Sequence, residues 1–229
     1  ALKAIEVGAQ GCEMDVYSSS DGVLFLTHDS NLKRTTGKDL ACKAADFQTL
    51  ATLDFGYSEK FKDQYKGEHV ATYDEMLKTL KGTKTRPIIE VKENGFEEKI
   101  VAYIRKYDLV ETAIVIDFNA ARLKKIRSLE PNLCGAWLVS FKVENETPES
   151  MAKKIIDTCK EINTNVVDVE HDAVTPEFLS ILDQAGITVM CWTVDDKAEI
   201  ERLVKMGVKS ITTNRPDLVL EAQKNAQNK

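Results

Sequence analysis

The sequence predicts an α/β fold: a (β/α)8 TIM barrel with an insertion after its second barrel strand. Three observations carry this. From residue 86 onward, strand-like runs alternate with amphipathic helical runs, the pattern of parallel βα units. Residues 12–17 add an earlier strand, which gives seven barrel-type strands where a closed barrel has eight. Residues 38–85 interrupt the rhythm and read as a rim excursion. The 229 residues suit a single barrel domain over 1–229.

Residues 1–10 (ALKAIEVGAQ) read as a helix ending near Gly8. A helix at the very start lacks the strand that should precede it, so the first barrel strand is expected to be missing from this chain. The strand at residues 12–17 is followed by a turn at Asp21-Gly22, and residues 23–27 run back as a mostly apolar strand. In the excursion, residues 46–53 suggest a short helix, residues 57–68 are polar and aromatic without period, and Thr72 to Glu75 form a capping box before Met76, Leu77 and Leu80.

The βα units then follow in order. Residues 87–92 (PIIEVK) form a strand, and Phe96, Ile100, Val101 and Ile104 mark one face of a helix. Residues 113–117 (AIVID) form the next strand, and Asn119 caps a helix burying Leu123, Ile126 and Leu129. A strand at 133–139 precedes a helix opened by Thr147-Pro148-Glu149; a strand at 164–170 precedes one opened the same way by Thr175-Pro176-Glu177. After a strand at 187–194, Asp195 or Asp196 caps a helix ending near Gly207. Residues 209–213 are the last strand and 216–226 a closing helix with polar ends.

A net charge of −6 argues against a nucleic-acid binder, whose surface would be basic. No apolar run reaches membrane-spanning length and no signal peptide is visible. The five cysteines form no CxxC pair, so they read as small reduced core residues. Reduced thiols point to the cytoplasm; a secreted or periplasmic location stays open if an upstream signal has been removed.

The chemistry concentrates at residues 11–29. Glu13 and Asp15 lie two apart on one face of a strand, and the returning strand delivers His28-Asp29 at its end. Bare carboxylates on a buried face cost several kcal/mol unless paired or metal-bound. Glu90 and Lys92 repeat the spacing. One such pair alone is more often an internal ion pair, but two pairs on inward barrel faces converge at the mouth where barrel enzymes work. Glu13, Asp15 and Glu90 make an all-oxygen set suited to Mg²⁺ or Ca²⁺ and not to zinc, and Lys92 adds the positive charge an anionic substrate needs. Near a divalent cation, His28 can protonate a leaving alkoxide or take a proton from water.

GCEMDV, SDGVLFLTHD, NLKRTTG, IIEVK, CWTVDD and GVKSITTNRPDLV, in that order, resemble the glycerophosphodiester phosphodiesterases, relatives of the phosphatidylinositol-phospholipase-C-like barrels. The resemblance spans nearly the whole chain. It implies a (β/α)8 barrel with an insertion after the second strand, and metal-dependent hydrolysis of a glycerophosphodiester to an alcohol and sn-glycerol 3-phosphate in lipid and glycerol metabolism. By resemblance, Glu13, Asp15 and Glu90 match the metal ligands, His28 one of two catalytic histidines, and Lys92 the phosphate-contacting lysine. The family's other histidine, with its arginine and the following Glu-Asn-Thr motif, does not occur here. Asp195 also stands where the family usually has Asn, and Asn214 where it usually has an acid.

The remaining candidates read more plainly. His69 is expected to be solvated, and His171 is a loop residue that could touch substrate from the rim. Trp192 is either core or a substrate-binding wall for the alcohol; Trp137 and Phe118 read as packing, and Lys124-Lys125 and Lys153-Lys154 as solvated helix faces. Two other readings stay open: a lysophospholipase D or sphingomyelinase D-like lipid phosphodiesterase using Phe55, Tyr57, Phe61 and Tyr65 as an apolar groove, and a non-catalytic phosphoester-binding barrel. The headgroup, metal and oligomeric state are not legible.

Overall fold

A computed structural model describes residues 1–227. Helix α1 (Leu2–Glu6) leads into strand β1 (Gly11–Ser18), which turns back as β2 (Leu24–Leu26). A short helix, α2 (Lys33–Thr36), precedes the rim segment, which carries the short α3 (Phe47–Leu50) and α4 (Ser58–Phe61) before the regular α5 (Tyr73–Leu80). Strand–helix pairs follow: β3 (Arg86–Val91) and α6 (Glu97–Lys106), β4 (Ile114–Asp117) and α7 (Ala120–Leu129), β5 (Cys134–Val139) and α8 (Pro148–Glu161), β6 (Val166–Glu170) and α9 (Pro176–Gln184). The chain ends with β7 (Thr188–Trp192), α10 (Lys197–Lys205), β8 (Ser210–Ile211) and α11 (Pro216–Gln227). No helix among the described residues is long and apolar enough to cross a membrane.

The strands form one sheet in the order β2-β1-β3-β4-β5-β6-β7-β8. Every neighbour pair is parallel except β1 and β2, which form an antiparallel hairpin. The hairpin turn is held by Ser19, whose Oγ donates to Asp21 at 2.6 Å and accepts from Val23 N at 2.9 Å. Gly22 takes φ 82°, a left-handed conformation that side-chain-bearing residues rarely adopt.

Period-two alternation separates the faces of the sheet. Met14, Val16, Ile89, Val91 and Val115 pack in one buried cluster with the helices, and Val167, Val169, Val189 and Cys191 in another. The opposite face buries a smaller group, Ile88, Ile116, Ala136, Leu138 and Met190, which is the interior of the curled sheet. The insertion has its own small core around Phe25, Leu32 and Leu50, with Tyr17 from β1 included, so it is seated on the sheet.

Capping chemistry sets the helix starts. Thr72 and Glu75 complete the capping box of α5, and Asn119 accepts from Arg122 N at the start of α7. Thr147 and Thr175 cap helices with proline in the first turn. Asp196 caps α10, accepting from Glu199 N, so of the two aspartates offered by sequence the second is the cap. Several sequence expectations are corrected at the margins. The last strand is only Ser210–Ile211, the helix expected over 46–53 is Phe47–Leu50, and Leu129 is half-buried. Among the described residues all five cysteines are free; Cys42, Cys159 and Cys191 are buried, whereas Cys12 and Cys134 are only half-buried.

Candidate functional site

The parallel registers bring the charged pairs together. Asp15 lies opposite Glu90 and Glu13 opposite Ile88, with all three acids on the interior face. One carboxylate oxygen from each of Glu13, Asp15 and Glu90 lies within 4.8 Å of the others, close enough for one ion to touch all three. Lys92 extends from the end of β3, and its Nζ sits 2.6 Å from Glu90 Oε1 and 3.1 Å from Asp15 Oδ1. Glu13 Oε1 is buried with no hydrogen-bond partner among the described residues.

The electrostatics follow from that crowding. Burial, then the charges of Asp15 and Glu90, push the Glu13 carboxyl up to about 8. Burial also raises Glu90, against the pull of Lys92. Burial alone would lower the Lys92 ammonium, but its hydrogen bond to Glu90 and the charge of Asp15 prevail and raise it. This is a set of oxygen donors short of positive charge, and a hard divalent cation fits it: the orphaned Glu13 oxygen is the donor that Lys92 does not reach.

His28 arrives by the hairpin. Thr27 N donates to Asp15 O at 3.2 Å, which places the end of this segment beside the acid strand. The imidazole is exposed (68%), and its Nδ1 lies 2.7 Å from Asp29 Oδ1. Asp29 is held by Arg34 through a 2.5 Å contact, and these hydrogen bonds, Arg34's first, lower its carboxyl to about 2. An ionised Asp29 favours the tautomer with hydrogen on Nδ1, leaving Nε2 for proton transfer.

Sequence reasoning missed one interior residue and misjudged one at the mouth. Asp168 on β6 is fully buried, both its oxygens lack partners among the described residues, and burial followed by the charge of Glu90 lifts it to about 8. The signal was available, because Asp168 and Glu170 repeat the two-apart spacing in TNVVDVE. Phe118, read as packing, is instead 49% exposed beyond the end of β4. It stands edge-on to Trp192, ring centroids 5.6 Å apart. Trp137 Nε1 fixes it by donating to Phe118 O, and Trp192 Nε1 donates to Asp168 O, each at 3.2 Å.

Other candidates fall away from this cluster. His69 is exposed, as expected. His171 Nδ1 is 3.1 Å from Glu199, which also binds Arg202, so this histidine is engaged with α10. The lysines at 124–125 and 153–154 are exposed on their helices. Asp195 and Asn214 lie against each other: Asp195 accepts from Asn214 N at 2.7 Å and Nδ2 at 2.9 Å. The two residues at which the sequence departs from the family's pattern therefore meet as one acid–amide pair.

The chain matches the model of the glycerophosphoryl diester phosphodiesterase family over residues 2–218. It is 30% identical to a glycerophosphodiester phosphodiesterase of Bacillus subtilis, covering 96% of this chain and 79% of that one. It is 28% identical to another from Caldanaerobacter subterraneus subsp. tengcongensis, covering 95% and 87%. Among solved structures, a glycerophosphodiester phosphodiesterase of Agrobacterium tumefaciens superposes with a TM-score of 0.78 at 24% identity, covering 96% and 90%. An Oleispira antarctica phosphodiesterase, in complex with the product sn-glycerol-3-phosphate, gives 0.83 at 22%, covering 97% and 88%. These folds agree with the curled sheet and its helical shell. On this sequence match and fold, the chain belongs to the glycerophosphoryl diester phosphodiesterase family of hydrolases.

Proposed function

We propose that this protein hydrolyses small glycerophosphodiesters to an alcohol and sn-glycerol 3-phosphate, with a divalent cation held by Glu13, Asp15 and Glu90. The observation that carries the reading is the convergence of three carboxylate oxygens within 4.8 Å beside a lysine ammonium. The bound product of the Oleispira relative supports the same product class here. Mg²⁺ and Ca²⁺ are the ions these oxygen ligands suit, and either would supply Lewis-acid polarisation of the phosphoryl group.

The chain's own groups do the rest. Lys92 contacts the phosphoryl oxygens and favours the charge that builds on them in the transition state. His28, protonated and oriented by Asp29, donates from Nε2 to the alcohol oxygen as its bond to phosphorus breaks. The attacking water forms the new P–O bond and releases its proton to solvent, from which His28 is reprotonated. Trp192, with Phe118, walls the mouth against the alcohol portion. The lipid reading has less support: Phe55 packs into the insertion core, and of the four aromatic residues only Phe61 and Tyr65 are exposed, edge-on to each other. The relatives' names likewise favour the enzyme over a non-catalytic barrel.

The test is release of glycerol 3-phosphate from a glycerophosphodiester. Chelation should stop it and Mg²⁺ or Ca²⁺ restore it; His28→Ala should lower kcat by about 10²–10⁴-fold, and His69→Ala should leave it unchanged. Equal losses in both histidine variants, or full turnover in chelator, would sink the assignment.

A further inference from the structure

The backbone on both sides of Lys92 is held by groups that take no part in the chemistry above. Arg122, in the first turn of α7, spends its guanidinium there. Nη2 donates to Val91 O, the residue before Lys92, at 2.7 Å, and Nη1 donates to Asn94 Oδ1 at 3.0 Å. The same side chain grips Asp117 through Nε at 2.5 Å and Nη2 at 2.7 Å. Asp117 is fully buried and Arg122 is 9% exposed. On the other flank, Glu93 accepts from Ser18 N at 3.2 Å and pairs with Lys43 of the insertion at 3.1 Å. Lys92 N itself donates to Val16 O at 3.2 Å.

A buried ion pair of this kind is a weak source of stability, because desolvation offsets most of its attraction. Nor does α7 depend on it to begin, since Asn119 already caps that helix. What the planar fork does supply is direction: one rigid group ties the end of β4 to the end of β3 at two points spaced around a single lysine. We propose that Arg122, oriented by Asp117, is a positioning residue that fixes Lys92 for its contact with the phosphoryl group; this rests on the role given to Lys92 above.

The experiment is a double-mutant cycle on turnover of a glycerophosphodiester, with thermal melting as the folding control. Arg122→Lys keeps the charge and loses the fork. It should lower kcat/KM by about 10²-fold, the scale on which small misplacements act, while melting stays cooperative. Arg127→Lys, on the same helix with contacts only to backbone carbonyls, should leave kcat unchanged. In a Lys92→Ala background, Arg122→Lys should cost little more, since residues that act through one another are non-additive. Should Arg122→Lys fail to fold, Asn94→Ala removes the lighter contact and should show a smaller loss with the same non-additivity. Losses that multiply in the double variant, or full activity in Arg122→Lys beside an impaired Lys92→Ala, would overturn this inference alone. Unchanged turnover in Lys92→Ala would bring down the role of Lys92 and the inference with it.

Discussion

On β6, Asp168 places an acid in the buried interior. Its carboxyl is fully buried without partners among the described residues, and both it and Glu13 sit near 8, far above their unfolded values. The sign of the consequence is fixed. A raised acid keeps its proton in the folded state while the unfolded chain has already lost its own, so the stability it contributes is full below about pH 4 and drains away as pH rises to about 8. In chelator, Asp168→Asn, a neutral group of the same shape, should be more stable than the wild type at pH 8 by on the order of a few kcal/mol, and should melt higher. Near pH 4 the two should melt together. A variant that shifts equally at both pH values would show that the carboxyl does not hold its proton. Glu13, Asp15, Glu90 and Lys92 were legible as residues because charge at alternate positions of an apolar strand is conspicuous. Asp168 obeys the same rule with Glu170, so it was equally legible and was overlooked. Phe118 was hidden for another reason: an aromatic just past a strand end reads equally as core or wall until the neighbouring strands are in place.

Elements were readable where capping or periodicity is local. Threonine before proline, asparagine before a helix and apolar residues at helical spacing depend on a few neighbours, and those helices lie where expected. Length was less readable where tertiary pairing decides it, as in the two-residue β8, whose only strand partner among the described residues is β7. Past that strand, Thr212 N donates to Cys191 O at 2.8 Å and Val194 N to Thr212 O at 3.0 Å, and side chains add to this, Asp195 accepting from Thr213 Oγ1 at 3.1 Å and from Asn214. This makes a prediction about the element. Asn214→Asp sets two carboxylates face to face and should lower the melting temperature by about 2–4 °C, the shift expected for roughly 1 kcal/mol in a chain of this size. Asp195→Asn combined with Asn214→Asp exchanges the pair and should regain most of the loss. A double variant as unstable as the sum of the singles would show that the contact does not act as a unit.

At the scale of the molecule, the parallel sheet explains why so few residues suffice. Parallel strands end on the same side, so acids two apart on β1 and on β3 meet without any long-range signal in the sequence. The fold class was legible because strand–helix alternation admits few topologies. Within the insertion only a short helix near 46–53 and the capping box before α5 were legible; the rest showed as a break in rhythm, since its short helix and small core carry no period. The central claim is that this convergence makes a cation site. It is tested most directly by calorimetric titration of chelator-stripped protein with Mg²⁺ and with Ca²⁺. The wild type should bind one ion and melt higher when loaded, by ligand linkage. Asp15→Asn should lose the binding heat and the rise in melting temperature while still melting cooperatively. An Asp15→Asn protein that binds either ion as the wild type does would contradict the account.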